Sequence, residues 1–324
     1  MKSGIRRIDG RVLVDASVFP EHPMSDHWNW GDVGNAYGAG AYGLNLDHNR
    51  MILRFRPGAS AGDAAEFLGA NATLPGVVWK NLVTTGPPGS GDGVVVYSEP
   101  YGGRVTFRGT VPAGAGEFTV RAAIPNPPET AAAMVRTALL NHGVEITGRE
   151  HAAAPAAVIL ATTRSAPLID IIRSIHHTSD NVEAQCVFLA MAADGGDPAA
   201  VVRRHWADAG VDFSALRLLD GSGLARANMI RAVDLAKVAH TALTAPHGRE
   251  FFESLPAYQN GAVRSKPGWM SGVTTSVGTI TTADGRRMTY AFMANAAPDA
   301  RAVHSLRHRL RAEIAKHAGG GKAR

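Results

Sequence analysis

Three short stretches carry residue types suited to acyl-transfer chemistry: Ser179-Asp180-Asn181, Asp220-Gly221-Ser222-Gly223 and Lys266-Pro267-Gly268, in that order along the chain. A serine hydroxyl is weakly reactive until a neighbouring base takes its proton, and a lysine serves as that base where its surroundings favour the neutral amine. Each stretch also has a plain structural reading. Ser, Asp and Asn accept hydrogen bonds from the open N–H groups at a helix start. Asp-Gly-Ser-Gly is a turn with glycines at demanding φ values, and it lacks the G-x-S-x-G spacing of a hydrolase elbow. Lys266 alone reads equally as an exposed strand lysine. His176 and His177 are adjacent on one helix, so they point to different faces, and no H-E-x-x-H accompanies them. They read as surface or interface histidines.

The elements around these residues follow from periodicity and turn chemistry. From Ile8 to about Gly148 the text is β-rich: RIDGRVLVDASVF, RMILRFRPG, GVVVYSEPYGGRVTFRGTVPAG and GEFTVRAAI are strand-like. NPPETAAAMVRTALLNHG interrupts them as a helix, with Asn126 as cap, Pro127 in the first turn, Glu129 near the capping-box position and Gly143 at the end; VEITG follows as a short strand. HAAAPAA, residues 151–157, reads as a linker. Beyond it VILATTRS suggests a strand and PLIDIIRSIHH a helix. Residues 178–181 then form a turn that opens a second helix, VEAQCVFLAMAA. That arrangement places Ser179 on an elbow. Helices are expected at DPAAVVRRHWADAG, IRAVDLAKVAHTAL and GREFFESL. An antiparallel set is expected at AVRSKPGW, TTSVGTITTADG and RRMTYAFMANA, with Asp284-Gly285 as a hairpin turn. The last helix carries Val303, Leu306, Leu310 and Ile314 at helical spacing, and residues 319–324 form a tail.

Composition bounds the rest. The 324 residues are 45% hydrophobic and 19% charged, enough for a sizeable core and about two domains. The net charge of +5 comes from scattered arginines without basic runs or aromatic interleaving, which argues against a nucleic-acid partner. Cys186 is the single cysteine, so neither an internal disulfide nor a thiolate metal cluster is available; it reads as a core residue of its helix. MKSGIRRIDGRVLVD has no apolar stretch of signal-peptide or membrane-span length. No cofactor or metal is expected.

Taken together, the ordered segments RIDGRVLVDASVF, HWNWGD, GTVPAGAGEFTVRAAIPNPPE, RSAPLIDIIRSIHHTSDN and LLDGSGLARAN resemble the D-alanyl-D-alanine carboxypeptidase/endopeptidase family of low-molecular-mass, class C penicillin-binding proteins, from Ile5 to about Ala297. The resemblance implies an α/β fold of the penicillin-binding-protein/β-lactamase type, an antiparallel sheet with helices. Residues 158–318 would form its C-terminal part, and residues 1–150 the β-rich inserted region. It implies a serine-type hydrolase acting on peptidoglycan stem peptides, acylated also by β-lactams, in a periplasmic or extracellular setting. By the same resemblance Ser179 relays a proton to the leaving amine, and the Asn181 carboxamide holds a substrate carbonyl. Lys266 supplies charge for the substrate carboxylate, and Gly268 and Trp269 are substrate-binding, with the Trp269 N–H forming half of an oxyanion hole.

Three departures stand against this pattern. No lysine is preceded at the third position by serine: the residues there are Val77, Asp234, Val263, Glu313 and Gly319, and Lys2 has none. The S-x-x-K nucleophile is therefore missing. Pro267 stands where the family has threonine, removing a hydroxyl and a backbone donor. The segment from Leu255-Pro256 to Lys266 is shorter than the family's, which carries a Gly-Thr-Leu loop. Three readings stay open: a truncated reading of a longer exported enzyme, a non-catalytic relative that binds peptidoglycan or a partner, and a decayed product without a stable fold.

Overall fold

The computed structural model describes residues 4–20, 22–99, 102–149 and 158–316. They divide into two compact units, Met1–Ser165 with Asn181–Asp194, and Ala166–Asp180 with Gly195–Arg324. The linker expected at 151–157 and the tail at 319–324 lie outside the described residues.

The first unit contains strands β1 (Arg7–Ile8), β2 (Arg50–Arg56), β3 (Glu66–Ala70), β4 (Val78–Gly86), β5 (Val95–Ser98), β6 (Arg104–Pro112), β7 (Phe118–Ala123) and β8 (Glu145–Ile146), with helices α1 (Trp30–Val33) and α2 (Pro127–Asn141). One antiparallel sheet has the order β3-β2-β7. A second has the order β4-β6-β5, with β4 parallel and β5 antiparallel to β6. Strand side chains alternate between faces, and the sequence uses that alternation. Met51, Leu53 and Phe55 of β2 are buried while Ile52, Arg54 and Arg56 are exposed; Val105 and Phe107 of β6 are buried while Arg104 and Arg108 are exposed. The buried sets of both sheets join in one core with Val83, Val96 and Val120. Each such side chain contributes about 1.5–3 kcal/mol by leaving water.

The expected cap of α2 is present: the Asn126 side chain accepts from the Glu129 N–H at 3.3 Å and donates to the Glu129 carboxylate at 3.1 Å. Gly143 follows the helix with φ 75°. Two expected strands differ. Of RIDGRVLVDASVF only Arg7–Ile8 is a strand, paired with β8, and Leu13 and Val18 are exposed. VILATTRS is not a strand, and Val158, Ile159 and Leu160 are more than 70% exposed. Apolar composition satisfied the strand pattern in both, but among the described residues only Arg7–Ile8 enters a strand ladder, with β8. Conversely, β3 and β4 were not anticipated.

In the second unit lie α3 (Leu168–Thr178), then, after α4 (Asn181–Ala190) of the first unit, α5 (Pro198–Asp208), α6 (Ala232–Thr244), α7 (Gly248–Ser254) and α8 (Ala300–Lys316). Its sheet comprises β9 (Ala257–Tyr258), β10 (Val263–Met270), β11 (Val273–Thr281) and β12 (Arg287–Asn295), antiparallel in the order β12-β11-β10-β9. Helix α6 lies against β11 and β12, and α8 against β11. The inward stripe of α8 differs from the expected one. Val303 and Ile314 pack on Val263, Ile280, Tyr290 and Phe292, but Leu306 and Leu310 are exposed and Arg311 is buried. The Arg311 guanidinium donates to Ser265 and Ser276 at 3.0 and 2.6 Å and lies over the rings of Tyr258 and Tyr290. Hydroxyl and π partners thus replace the apolar side chains that the spacing suggested. In the first unit, Cys186 is partly buried against Ala39, Ala123 and Val182.

Candidate active site

Helix α3 ends at Thr178, and Ser179 follows in the left-handed conformation, φ 56° and ψ 39°, with its N–H bonded to the Ile175 carbonyl at 3.0 Å. A non-glycine residue in that region carries strain of order 1–3 kcal/mol, which the surrounding structure must hold in place. Ser179 is thus a C-cap of α3, not an N-cap. Its hydroxyl accepts a hydrogen bond from Lys266 Nζ, so the elbow serine and the strand lysine, 87 positions apart, are together in the second unit. Burial lowers the Lys266 pKa from its ordinary value, because an ammonium loses solvation there. A hydroxyl that accepts from lysine keeps its own proton free to donate, which is the geometry of a proton relay.

The strand that carries Lys266 has a defined open edge. Bonded and non-bonded pairs alternate along an antiparallel ladder. Ser265 N–H donates away from β11, to the Pro256 carbonyl at 3.0 Å, while Thr281 of β11 donates to Ala262 at 2.8 Å. Residues 264, 266 and 268 therefore exchange bonds with β11, and positions 265, 267 and 269 face the other edge. Among the described residues β9 covers that edge only at Val263 and Arg264. Pro267 accordingly removes no bond from the β10–β11 ladder, and the Trp269 N–H projects from the same edge. A Cβ at Gly268 would lie 2.4 Å from Thr275 Oγ1, so a larger residue there would make that hydroxyl rotate away.

Asn181 opens α4 in the first unit. Its Nδ2 donates to the Tyr37 carbonyl at 2.7 Å, leaving its second amide hydrogen; the Tyr37 hydroxyl donates to Asp32 at 3.0 Å. In the second unit the Asp220 loop is held from inside. The buried carboxylate accepts from Ser222 Oγ, the N–H groups of Gly223 and Ala225, and Asn228 Nδ2, at 2.7–3.0 Å. Ser222 therefore serves the turn.

His176 departs from the surface reading. Ser254, fully buried, donates to the Phe251 carbonyl at 2.7 Å and so accepts from His176 Nδ1 at 2.9 Å. This fixes the neutral Nδ1–H tautomer. The imidazole pKa is lowered from 6.5 to about 4, first by burial and next by the charge of Lys266. Sequence reasoning missed this link because Ser254 lies 78 positions away. Among the described residues no group of three His, Cys, Asp or Glu side chains is arranged to hold a metal.

With this geometry in view, similarity to known proteins is specific. The profile of the D-Ala-D-Ala carboxypeptidase 3 (S13) family matches residues 1–314. The D-alanyl-D-alanine carboxypeptidase of Actinomadura sp. (strain R39) is 26% identical over 315 residues, 86% of this chain and 58% of that protein. The D-alanyl-D-alanine carboxypeptidase DacB of Haemophilus influenzae is 25% identical over 319 residues, 89% of this chain and 65% of that protein. The chain thus spans less than two thirds of the length of either relative. The crystal structure of penicillin binding protein 4 (dacB) from Haemophilus influenzae shares the fold, with a TM-score of 0.82 at 21% identity over 98% of this chain and 77% of that one. A second crystal structure of that protein, complexed with a novel β-lactam, aligns with a TM-score of 0.72 at 20% identity over 85% of this chain and 71% of that one. The fold is therefore of the penicillin-binding-protein type, and the chain belongs to the D-Ala-D-Ala carboxypeptidase 3 (S13) family.

Proposed function

We propose that this chain takes part in serine-type acyl transfer on the D-alanyl-D-alanine ends of peptidoglycan stem peptides, outside the cytoplasmic membrane. The contact between Lys266 and Ser179 on a left-handed elbow carries the reading. In this reading a serine attacks the terminal peptide carbonyl, the amine leaves as D-alanine, and water then hydrolyses the ester. Ser179 passes the proton to the leaving amine, and Lys266 holds the substrate carboxylate. Trp269 N–H, on the open edge beside Gly268, stabilises the developing oxyanion. A β-lactam presents a similar amide and would occupy the same edge. Residues 1–324 contain no S-x-x-K, so these residues are assigned relay, carboxylate and oxyanion positions and not the attacking oxygen.

D-alanine release from a stem pentapeptide, with protein purified from its native cell, tests the reading. Lys266→Ala should lower kcat/KM about 10–10²-fold, the range for losing one charge-assisted hydrogen bond to the substrate carboxylate, and Ser179→Ala about 10²-fold or more. A second reading, stem-peptide binding without turnover, is favoured by the missing S-x-x-K and by Pro267, which lacks the threonine hydroxyl. Calorimetric binding of the pentapeptide without D-alanine release supports it, and absence of both binding and release sinks both readings.

A further inference from the structure

We propose that the outer face of the β4-β6-β5 sheet binds a cell-wall glycan strand, with Trp30 and Tyr97 as a platform for pyranose rings and Arg104 and Arg108 as donors to their oxygen substituents. The choice of glycan rests on the peptidoglycan reading above; the groove itself does not. A sheet with one face on the core ordinarily turns polar side chains outward. Here the outer face instead presents Val78, 61% exposed, and Tyr97, with Trp30 of α1 standing beside Tyr97 at 5.1 Å between ring centroids. Trp30 is itself 71% exposed although its neighbour Trp28 is buried. Together with Glu99, Arg104 and Arg108 these residues line an open groove of about 1050 Å³, at the upper end of the range for ligand sites.

The groove's polar groups are partly fixed in advance. Arg108 donates to the Tyr97 hydroxyl through Nη2 at 2.8 Å and stacks over the ring at 5.3 Å. Arg104 faces Val78 in register and has no carboxylate partner among the described residues. A pyranose offers an apolar C–H face to an aromatic ring and a rim of hydroxyl and amide oxygens to planar donors, and a guanidinium supplies several donors in a rigid fork. Single-stranded nucleic acid also uses aromatic platforms with basic side chains. It is disfavoured because Glu99 offsets one of the two cations lining the groove, whereas backbone tracking needs cations matched to phosphates.

The test uses the full chain and three probes: chitotetraose, which has no stem peptide, a stem pentapeptide, and a single-stranded oligonucleotide. Calorimetry should show saturable chitotetraose binding that Trp30→Ala and Arg104→Gln each weaken about tenfold or more. Trp30→Phe should recover part of the affinity, and Lys266→Ala should leave it unchanged. No chitotetraose binding, binding indifferent to both substitutions, or preference for the oligonucleotide overturns the proposal. Pentapeptide binding that persists while chitotetraose fails refutes the groove alone. Chitotetraose binding without pentapeptide binding leaves the groove standing and refutes the stem-peptide reading.

Discussion

Lys266 sits where burial and partner act together: burial favours its neutral amine, and Ser179 is placed to accept from it. Its charge also reaches His176. Replacing Lys266 by methionine should therefore raise the His176 pKa, followed by NMR titration of the ring, yet leave it below 6.5 because burial is the larger cause. A fall, or no change, would contradict the proximity. The same histidine makes folding acid-sensitive. Its folded pKa lies below its unfolded value, so the unfolded chain takes the proton first as pH falls. That stability is complete above about 6.5 and is lost towards about 4. His176→Gln should flatten the dependence of Tm on pH in that window, and an unaltered slope would assign the acid sensitivity elsewhere. None of this was legible from HH in a helix. Ser179, Asn181 and Lys266 stood out because they fall in a known motif order, whereas His176 gains its setting only from Ser254 and Phe251, distant in sequence.

Strand β10 shows how an apparently damaging residue can be accommodated. Proline at 267 looked costly to a sheet, but the alternation of β10 turns that position to the open edge. Pro267→Thr should then shift the unfolding free energy by no more than about 1 kcal/mol, measured by urea denaturation; a loss of several kcal/mol would mean that the position is not at an edge. The Asp220 loop is the opposite case. Asp220→Ala leaves the Gly223 and Ala225 N–H groups and Asn228 Nδ2 without that carboxylate, at about 1–3 kcal/mol for each buried unsatisfied group. A urea midpoint like that of the native chain would contradict the role assigned to Asp220. Local signals were enough to place α2, with its Asn126 cap and Gly143, and the hairpin β11–β12 across Asp284-Gly285. They failed where pairing decides. β4 runs parallel to β6 and needs it to be a strand, and VILATTRS has the composition but joins no strand among the described residues.

The whole molecule is two units, each with its own apolar cluster. The β-rich character of the first and the antiparallel sheet with helices of the second were readable from alternation and turn residues. The grouping of α4 with the first unit was not, because it depends on contacts made by Val182 and Cys186 with Ala39 and Ala123. The central functional claim is that Ser179, Lys266 and the open edge of β10 serve acyl transfer, with an attacking serine that residues 1–324 do not offer in S-x-x-K form. Intact mass and peptide mapping of protein purified from its native cell, with and without benzylpenicillin, test it most directly. One penicilloyl adduct, on a serine, is the expected result. No adduct at saturating benzylpenicillin would contradict it.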